Sequence, residues 1–415
     1  MVNVNDFICK TDSETFEKAI ENKQKDGIIL VPPRVSDIEP DRDFWLIDRA
    51  ILLPENTTVI MQNSTIKLSD KCRDNFFRTS NCGMGIEFPE KTSNIHIRGE
   101  GKCVLLGADN PRAVGDSSKI LKNPCPHLVE DACAIADYIP ADRRTPETID
   151  FMDIHGYSYG TDAGKDGESQ CGDWRGIGIL FANTEIFSIE NIRISESHGW
   201  GISLEECSFG RVSKIHFEAH MCKMIDGFCN NMENEDGVDI RNGCHDILIS
   251  DITGETGDDV VALTAVAKTD YRPGGSLKNT HVMHNDWNKR DRNIYNITIK
   301  NIVATSHCLI VRLLPINTKI WNVIIDGVVD TTPEDKTHWA TIGLGDSNYG
   351  KPEKDGMKGI VVSNVICNAN TGIYVDGFIS DSVIANVVNM RKGPMFETNG
   401  NDWFINVKTE GLVQA

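Results

Sequence analysis

Asn296-Ile297-Thr298-Ile299-Lys300-Asn301-Ile302 is the stretch whose reading decides the fold. Its apolar residues alternate with polar ones, the period of a strand with one buried face. The phrase returns as Asp246-Ile247-Leu248-Ile249-Ser250-Asp251-Ile252, as Asn322-Val323-Ile324-Ile325-Asp326-Gly327-Val328 and as Gly359-Ile360-Val361-Val362-Ser363-Asn364-Val365. Shorter copies stand at Asn94-Ile95-His96-Ile97 and Asn191-Ile192-Arg193-Ile194, and a weak one at Ser382-Val383-Ile384-Ala385-Asn386-Val387. Ile297 and Val323 are 26 residues apart, Ile360 and Val383 are 23 apart, and longer gaps mark inserted loops. A strand phrase at that period is one coil of a solenoid. Glycines, asparagines and second short apolar strands fill the intervals, so each coil holds two or three strands joined by tight turns. The expected fold is all-β: a right-handed parallel β-helix. One coil alone cannot bury its inward Ile and Val, whereas coils stacked about 4.8 Å apart make a continuous apolar column. A β-sandwich of equal strand content would not repeat one phrase at one period.

The whole chain, 1–415, reads as a single solenoid domain. Residues 11–24 form an expected capping helix: Thr11-Asp12-Ser13-Glu14 has the form of a capping box, and Phe16, Ala19 and Ile20 follow at helical spacing. Such a helix covers the first coil's exposed edge, which would otherwise invite aggregation. Two stretches break the period and read as inserted loops, 108–173 and 264–292. The second carries Lys268, Arg272, His281, His284, Trp287 and Arg290. Long loops on a solenoid wall off a groove or make contacts in a homo-oligomer.

Charge narrows the partners. With 42 Lys plus Arg against 61 Asp plus Glu, the chain carries −19 and repels phosphate backbones and anionic bilayers. Neither nucleic acid nor a membrane is an expected partner. No apolar run approaches the roughly 18 residues of a membrane span, and the opening Met1-Val2-Asn3-Val4 lacks the basic and apolar stretches of a secretion signal. A cytoplasmic location is the expectation. The 13 cysteines are scattered without a C-x-x-C pair, so they read as reduced thiols, and no cofactor or metal is expected.

The densest chemistry is Asn234-Glu235-Asp236-Gly237, followed one coil later by Gly257-Asp258-Asp259. Asp236 and Asp258 are 22 residues apart, close to the repeat, which predicts equivalent positions on adjacent coils. His307 sits almost in phase on the next coil. Acids this close repel one another, so at least one should keep its proton near neutrality. An acid and a base then share one groove. A pair separated by about 6.5–9.5 Å would suit an inverting glycosidase, which needs room for a water. Asp239 and Asp251 read as turn or surface residues.

These motifs, with Ser306-His307-Cys308 downstream, resemble the Asn-Thr-Asp-Gly, Gly-Asp-Asp and Gly-His-Gly motifs of glycoside hydrolase family 28, the polygalacturonase-like pectin hydrolases. The resemblance extends over most of the chain and includes Ser197-His198-Gly199-Trp200, where that family often has a Trp-bearing turn. It implies Asp258 as general acid, with Asp236 and Asp259 orienting and deprotonating the attacking water. His307 would assist from the next coil, and Asn234, Glu235, His198 and Trp200 would bind the sugar. The family's Thr is replaced by Glu235, its glycines by Ser306 and Cys308, and its basic Arg-Ile-Lys motif is missing. Arg312 or the basic loop could take over carboxylate binding, but the expected substrate is a neutral or singly charged oligosaccharide, cleaved in exo fashion. A calcium-dependent polysaccharide lyase, a fructosyltransferase and a non-enzymatic carbohydrate-binding β-helix are the competing readings. Trp200, Trp321 and Trp339 would supply stacking surface.

Overall fold

The computed structural model describes residues 1–35, 39–70, 72, 74–83, 86, 88–109, 173–197, 199–219, 222–225, 228–231, 235–266, 281–282, 290–336, 338–350, 353–400 and 403–414. Most of both expected inserted loops therefore lies outside the described residues. The described strands form a fifteen-stranded and a ten-stranded sheet, both parallel, with one small antiparallel pair, Cys222–Ile225 against Phe228–Asn231. Chain order alternates between the large sheets, so each passage around both is one coil of a right-handed parallel β-helix.

The repeated phrase is explained by its two polar ends. Asp246, Asn296 and Asn322 all have left-handed backbone (φ 55°, 56° and 54°), as do Asp251 and Asn301 (φ 58° and 56°). Asn and Asp tolerate that region better than any other residue with a Cβ, and Gly327 (φ 72°) takes the same corner one coil later. Each corner bends a long strand such as His245–Thr256 or Ile294–Ser306, so that Ile247, Ile249 and Ile252, like Ile297, Ile299 and Ile302, all point inward. The corners also bond to one another along the axis. Asn296 Nδ2 donates to Asp246 Oδ1 at 3.0 Å, and Asn322 Nδ2 donates to Asn296 Oδ1 at 3.0 Å.

Between the corners, identical positions stack. Ile249 pairs with Ile299, Ile299 with Ile325, Ile325 with Val362, and Val362 with Ile384, all buried. The helix runs Asp12–Glu21, and Thr11 makes both reciprocal bonds of its capping box with Glu14, each at 3.2 Å. Phe16 and Ala19 bury against the first coils, Phe16 meeting Trp45 edge-on with ring centroids 5.3 Å apart.

Truncating one link of the column opens a cavity that close packing on both sides cannot collapse. Ile299→Ala should cost about 2–5 kcal/mol, whereas Lys300→Ala, on the exposed side, should cost almost nothing. Urea unfolding followed by circular dichroism reads both, and equal midpoints for the two variants would contradict the stacking.

Candidate active site

The site is built where the ten-stranded sheet begins in three successive coils. Val238 pairs with Val261, and Val261 with Val311. Counting back along these registers sets Asp236 beside Asp259, and sets Glu235, Asp258 and Cys308 in a second row. Backbone bonds agree: Gly237 N–H donates to Asp259 O at 2.8 Å, and Val260 N–H to Leu309 O at 3.0 Å. The sequence spacing of 22 had paired Asp236 with Asp258. The structure shifts that pairing by one residue.

Asp259 is the buried member, only 2% exposed. Burial lifts its carboxyl to about 7; Arg312 opposes the rise and the neighbouring Asp258 adds to it. Asp258 is half-buried, and its Oδ1 accepts the backbone N–H of Asp259 at 3.0 Å. Two hydroxyls hold its backbone: Thr256 Oγ1 and Ser306 Oγ donate to Asp258 O at 2.6 and 2.9 Å. Ser306 Oγ in turn accepts Cys308 N–H at 2.9 Å, which ties two coils together at the acids. Asp236 is buried as well, with its carbonyl accepting Gly201 N–H.

Other expected residues occupy different roles. His307 pairs by register with Gly257, one residue short of Asp258, and its Nε2 meets Glu255 Oε1 at 2.9 Å. Glu255 also takes Lys336 Nζ at 2.6 Å; burial would raise its carboxyl, but Lys336 and His307 outweigh it and hold it below the usual range. The residue in phase with Asp258 is Cys308. Arg312 does not present a free cation: it donates to Asp259 Oδ2 at 3.3 Å and to Asp346 Oδ2 at 2.6 Å, and its guanidinium lies 4.8 Å from the Tyr349 ring centroid. Burial lowers its pKa, but Asp259, Tyr349 and Asp346 leave it raised well above its ordinary value, so it is a poor base. Trp200 is buried, with the Arg241 guanidinium 4.5 Å from its ring centroid, which removes it as an open stacking platform. Trp339 packs on Tyr374 at 4.1 Å one coil beyond Cys308, and Trp321 stacks on Tyr295 on the other sheet. Asp251 is a corner residue as expected, but Asp239 is buried in mid-strand, not at a turn or surface. Asn234 and His198 lie outside the described residues.

Two buried polar clusters carried no recognisable sequence signal. His338 Nδ1 lies 2.9 Å from Cys308 O and its Nε2 lies 2.8 Å from Asp330 Oδ2. Asp330 also accepts from Thr332 N, Thr341 Oγ1 and Asn368 N, so the donors converge on a carboxylate and fix the backbone behind Cys308. At the far end of the same sheet, Glu205, Arg241 and His281 are buried together. His281 Nδ1 faces Glu205 Oε1 at 2.7 Å, its Nε2 faces Arg241 Nη2, and Val282 N–H donates to Glu205 Oε2 at 2.9 Å. A neutral ring satisfies both neighbours: Nδ1–H donates to the carboxylate and Nε2 accepts from the guanidinium. Burial and Arg241 accordingly hold His281 down at about 4, against the opposing pull of Glu205.

Polygalacturonase from Erwinia carotovora ssp. carotovora superposes with a TM-score of 0.58, covering 98% of this chain and 91% of its own at 14% identity. The fold is shared with polygalacturonases. The hyperthermoactive exopolygalacturonase from Thermotoga maritima gives 0.52 at 14% identity over 99% of this chain and 91% of its own. The tailspike protein of E. coli bacteriophage HK620, solved with a pentasaccharide, gives 0.56 at 13% identity over all of this chain and 66% of its own. No protein-family model and no curated protein sequence matches the chain. At these identities the likeness establishes the solenoid and leaves the chemistry to the residues themselves.

The buried histidine gives a pH dependence with a definite sign. Its folded pKa is depressed below the unfolded value, so its contribution is complete above about 6.5 and is lost as pH falls through about 4. His281→Asn should lower the unfolding midpoint at pH 7.5 and flatten its decline between pH 6.5 and 4. Thermal unfolding at a series of pH values measures both, and parallel curves for variant and parent would reject the neutral-ring assignment.

Proposed function

We propose that the protein is a glycoside hydrolase that cleaves an oligosaccharide with inversion at the anomeric carbon. The observation that carries this reading is a buried carboxyl, Asp259, raised to about 7 beside a second aspartate, Asp258, that is half-buried. One proton shared by such a pair is available to a leaving group near neutrality. Asp258, on the exposed side, passes that proton to the glycosidic oxygen as the bond to the anomeric carbon breaks. Water attacks from the opposite face and loses its proton to Asp236, in the row beside Asp259. Asp259 thus acts as the proton reservoir of the acid, rather than as a second base.

Arg312 supports a neutral sugar over a uronate, since two carboxylates already engage it. The same engagement weighs against a lyase using Arg312 as its base. A fold shared with polygalacturonases supports a polysaccharide-derived substrate. Exo action belongs to the same proposal, as does a reducing cytoplasmic location, which suits the free thiols found among the described residues.

Purified protein should release reducing sugar from a panel of nitrophenyl glycosides and plant oligosaccharides, with the first product detected by NMR carrying the inverted anomeric configuration. Asp258→Asn and Asp236→Asn should each lower kcat by about 10²–10⁴ without altering the strand signal in circular dichroism. For the parent, kcat/KM should fall as pH rises through about 7, where Asp259 gives up its proton. Full activity in both variants, or retention of configuration, would remove the assignment.

A further inference from the structure

Cys308 replaces a glycine of the motif it resembles and places a thiol against the acid pair. Donor atoms of Asp258, Asp259 and Cys308 all lie within 4.8 Å of one another. Asp259 is 2% exposed, and its Oδ1 forms no hydrogen bond by distance and angle. Among the described residues, the donor placed to steady it is the weak S–H of Cys308. A buried carboxylate oxygen left in that condition is costly, and two carboxylates with a thiol around one point concentrate negative potential. Arg312 answers it on one side only, reaching Asp259 through Oδ2.

We propose that Asp258, Asp259 and Cys308 bind a thiophilic divalent cation of the Zn²⁺ class, and that its binding switches off the hydrolysis proposed above. The binding half stands on the geometry alone; the inhibitory half rests on the hydrolase reading. Two oxygens and one sulfur, with the groove supplying water as a fourth ligand, match the donors and number of an open zinc site. Zinc bonds of about 2.0–2.3 Å make a tetrahedron with edges of about 3.5 Å, so side-chain rotations of about 1 Å close the present triangle. The sulfur's backbone is already anchored through His338 Nδ1–H to Cys308 O and His338 Nε2 to Asp330, an arrangement that holds a ligand in place. On binding, the thiol proton and the proton shared by the acid pair both leave to solvent as the sulfur–metal and oxygen–metal bonds form. Both aspartates become ligands, and no proton remains for a leaving group.

Chelator-treated full-length protein titrated with Co²⁺ reads the site without substrate. A thiolate-to-cobalt charge-transfer band in the near ultraviolet, saturating at one equivalent, is expected for the parent and should vanish in Cys308→Ser. Asp258→Asn, at the exposed edge, should weaken Co²⁺ and Zn²⁺ binding at least about tenfold, and it serves the same purpose if the serine variant does not fold. Absence of the band in the parent, or its persistence in Cys308→Ser, overturns the binding site. In the activity assay, Zn²⁺ should inhibit the parent over the concentrations that occupy the site; a band without inhibition overturns the regulatory half. A metal-free parent inactive on every glycoside would refute the hydrolase reading while leaving the cobalt result to stand or fall by itself.

Discussion

Register between coils is the constraint on which everything else rests. Parallel strands about 4.8 Å apart place a residue beside its equivalent in the next coil, however many residues the intervening loop contains. Left-handed Asn and Asp corners prevent slippage, because a shift of one residue would carry a corner into a strand and turn a column of Ile outward. The corner ladder and the apolar column are thus two expressions of one register. The acids inherit it: Asp236 and Asp259 meet because Val238 and Val261 are partners, two residues further along.

The same rigidity holds several buried charged residues along the ten-stranded sheet and the turns that lead into it. Each charge is answered by a partner fixed on a neighbouring coil or an adjoining loop. Arg312 spans Asp259 and Asp346, while His281 mediates between Glu205 and Arg241. Asp330 collects donors from three separate segments behind Cys308. Removing one member of such a set leaves another charge buried without compensation, which costs more than the pair contributes. Asp259 meets Arg312 through one oxygen only; its other oxygen forms no hydrogen bond by distance and angle, and burial lifts the carboxyl to about 7.

Much of the architecture was legible because its causes are local. Alternation of Ile with polar residues, Asn or Asp at both ends of the phrase and Thr11 three residues before Glu14 are properties of short segments, and each formed as expected. The acids were legible as a cluster because two acidic segments fell about one coil apart. His307 falls one residue out of register with Asp258. Ile247 pairs with Ile297, an offset of 50, and the same offset carries Asp258 to Cys308. Trp200 looked like a platform since a sequence does not reveal that Arg241 covers its ring.

The amino-acid pattern alone therefore determined that this chain winds into a β-helix with a capped first coil and an acidic cluster on its wall, because those features follow from periodicity and backbone preference within a few residues. Only the tertiary structure decided that Asp259 is buried while Asp258 is half-buried, that Cys308 and not His307 falls in register with Asp258, and that Arg312 is held between carboxylates. Those outcomes depend on pairing across inserted segments and on the dielectric around each side chain, and both exist only once the coils are stacked.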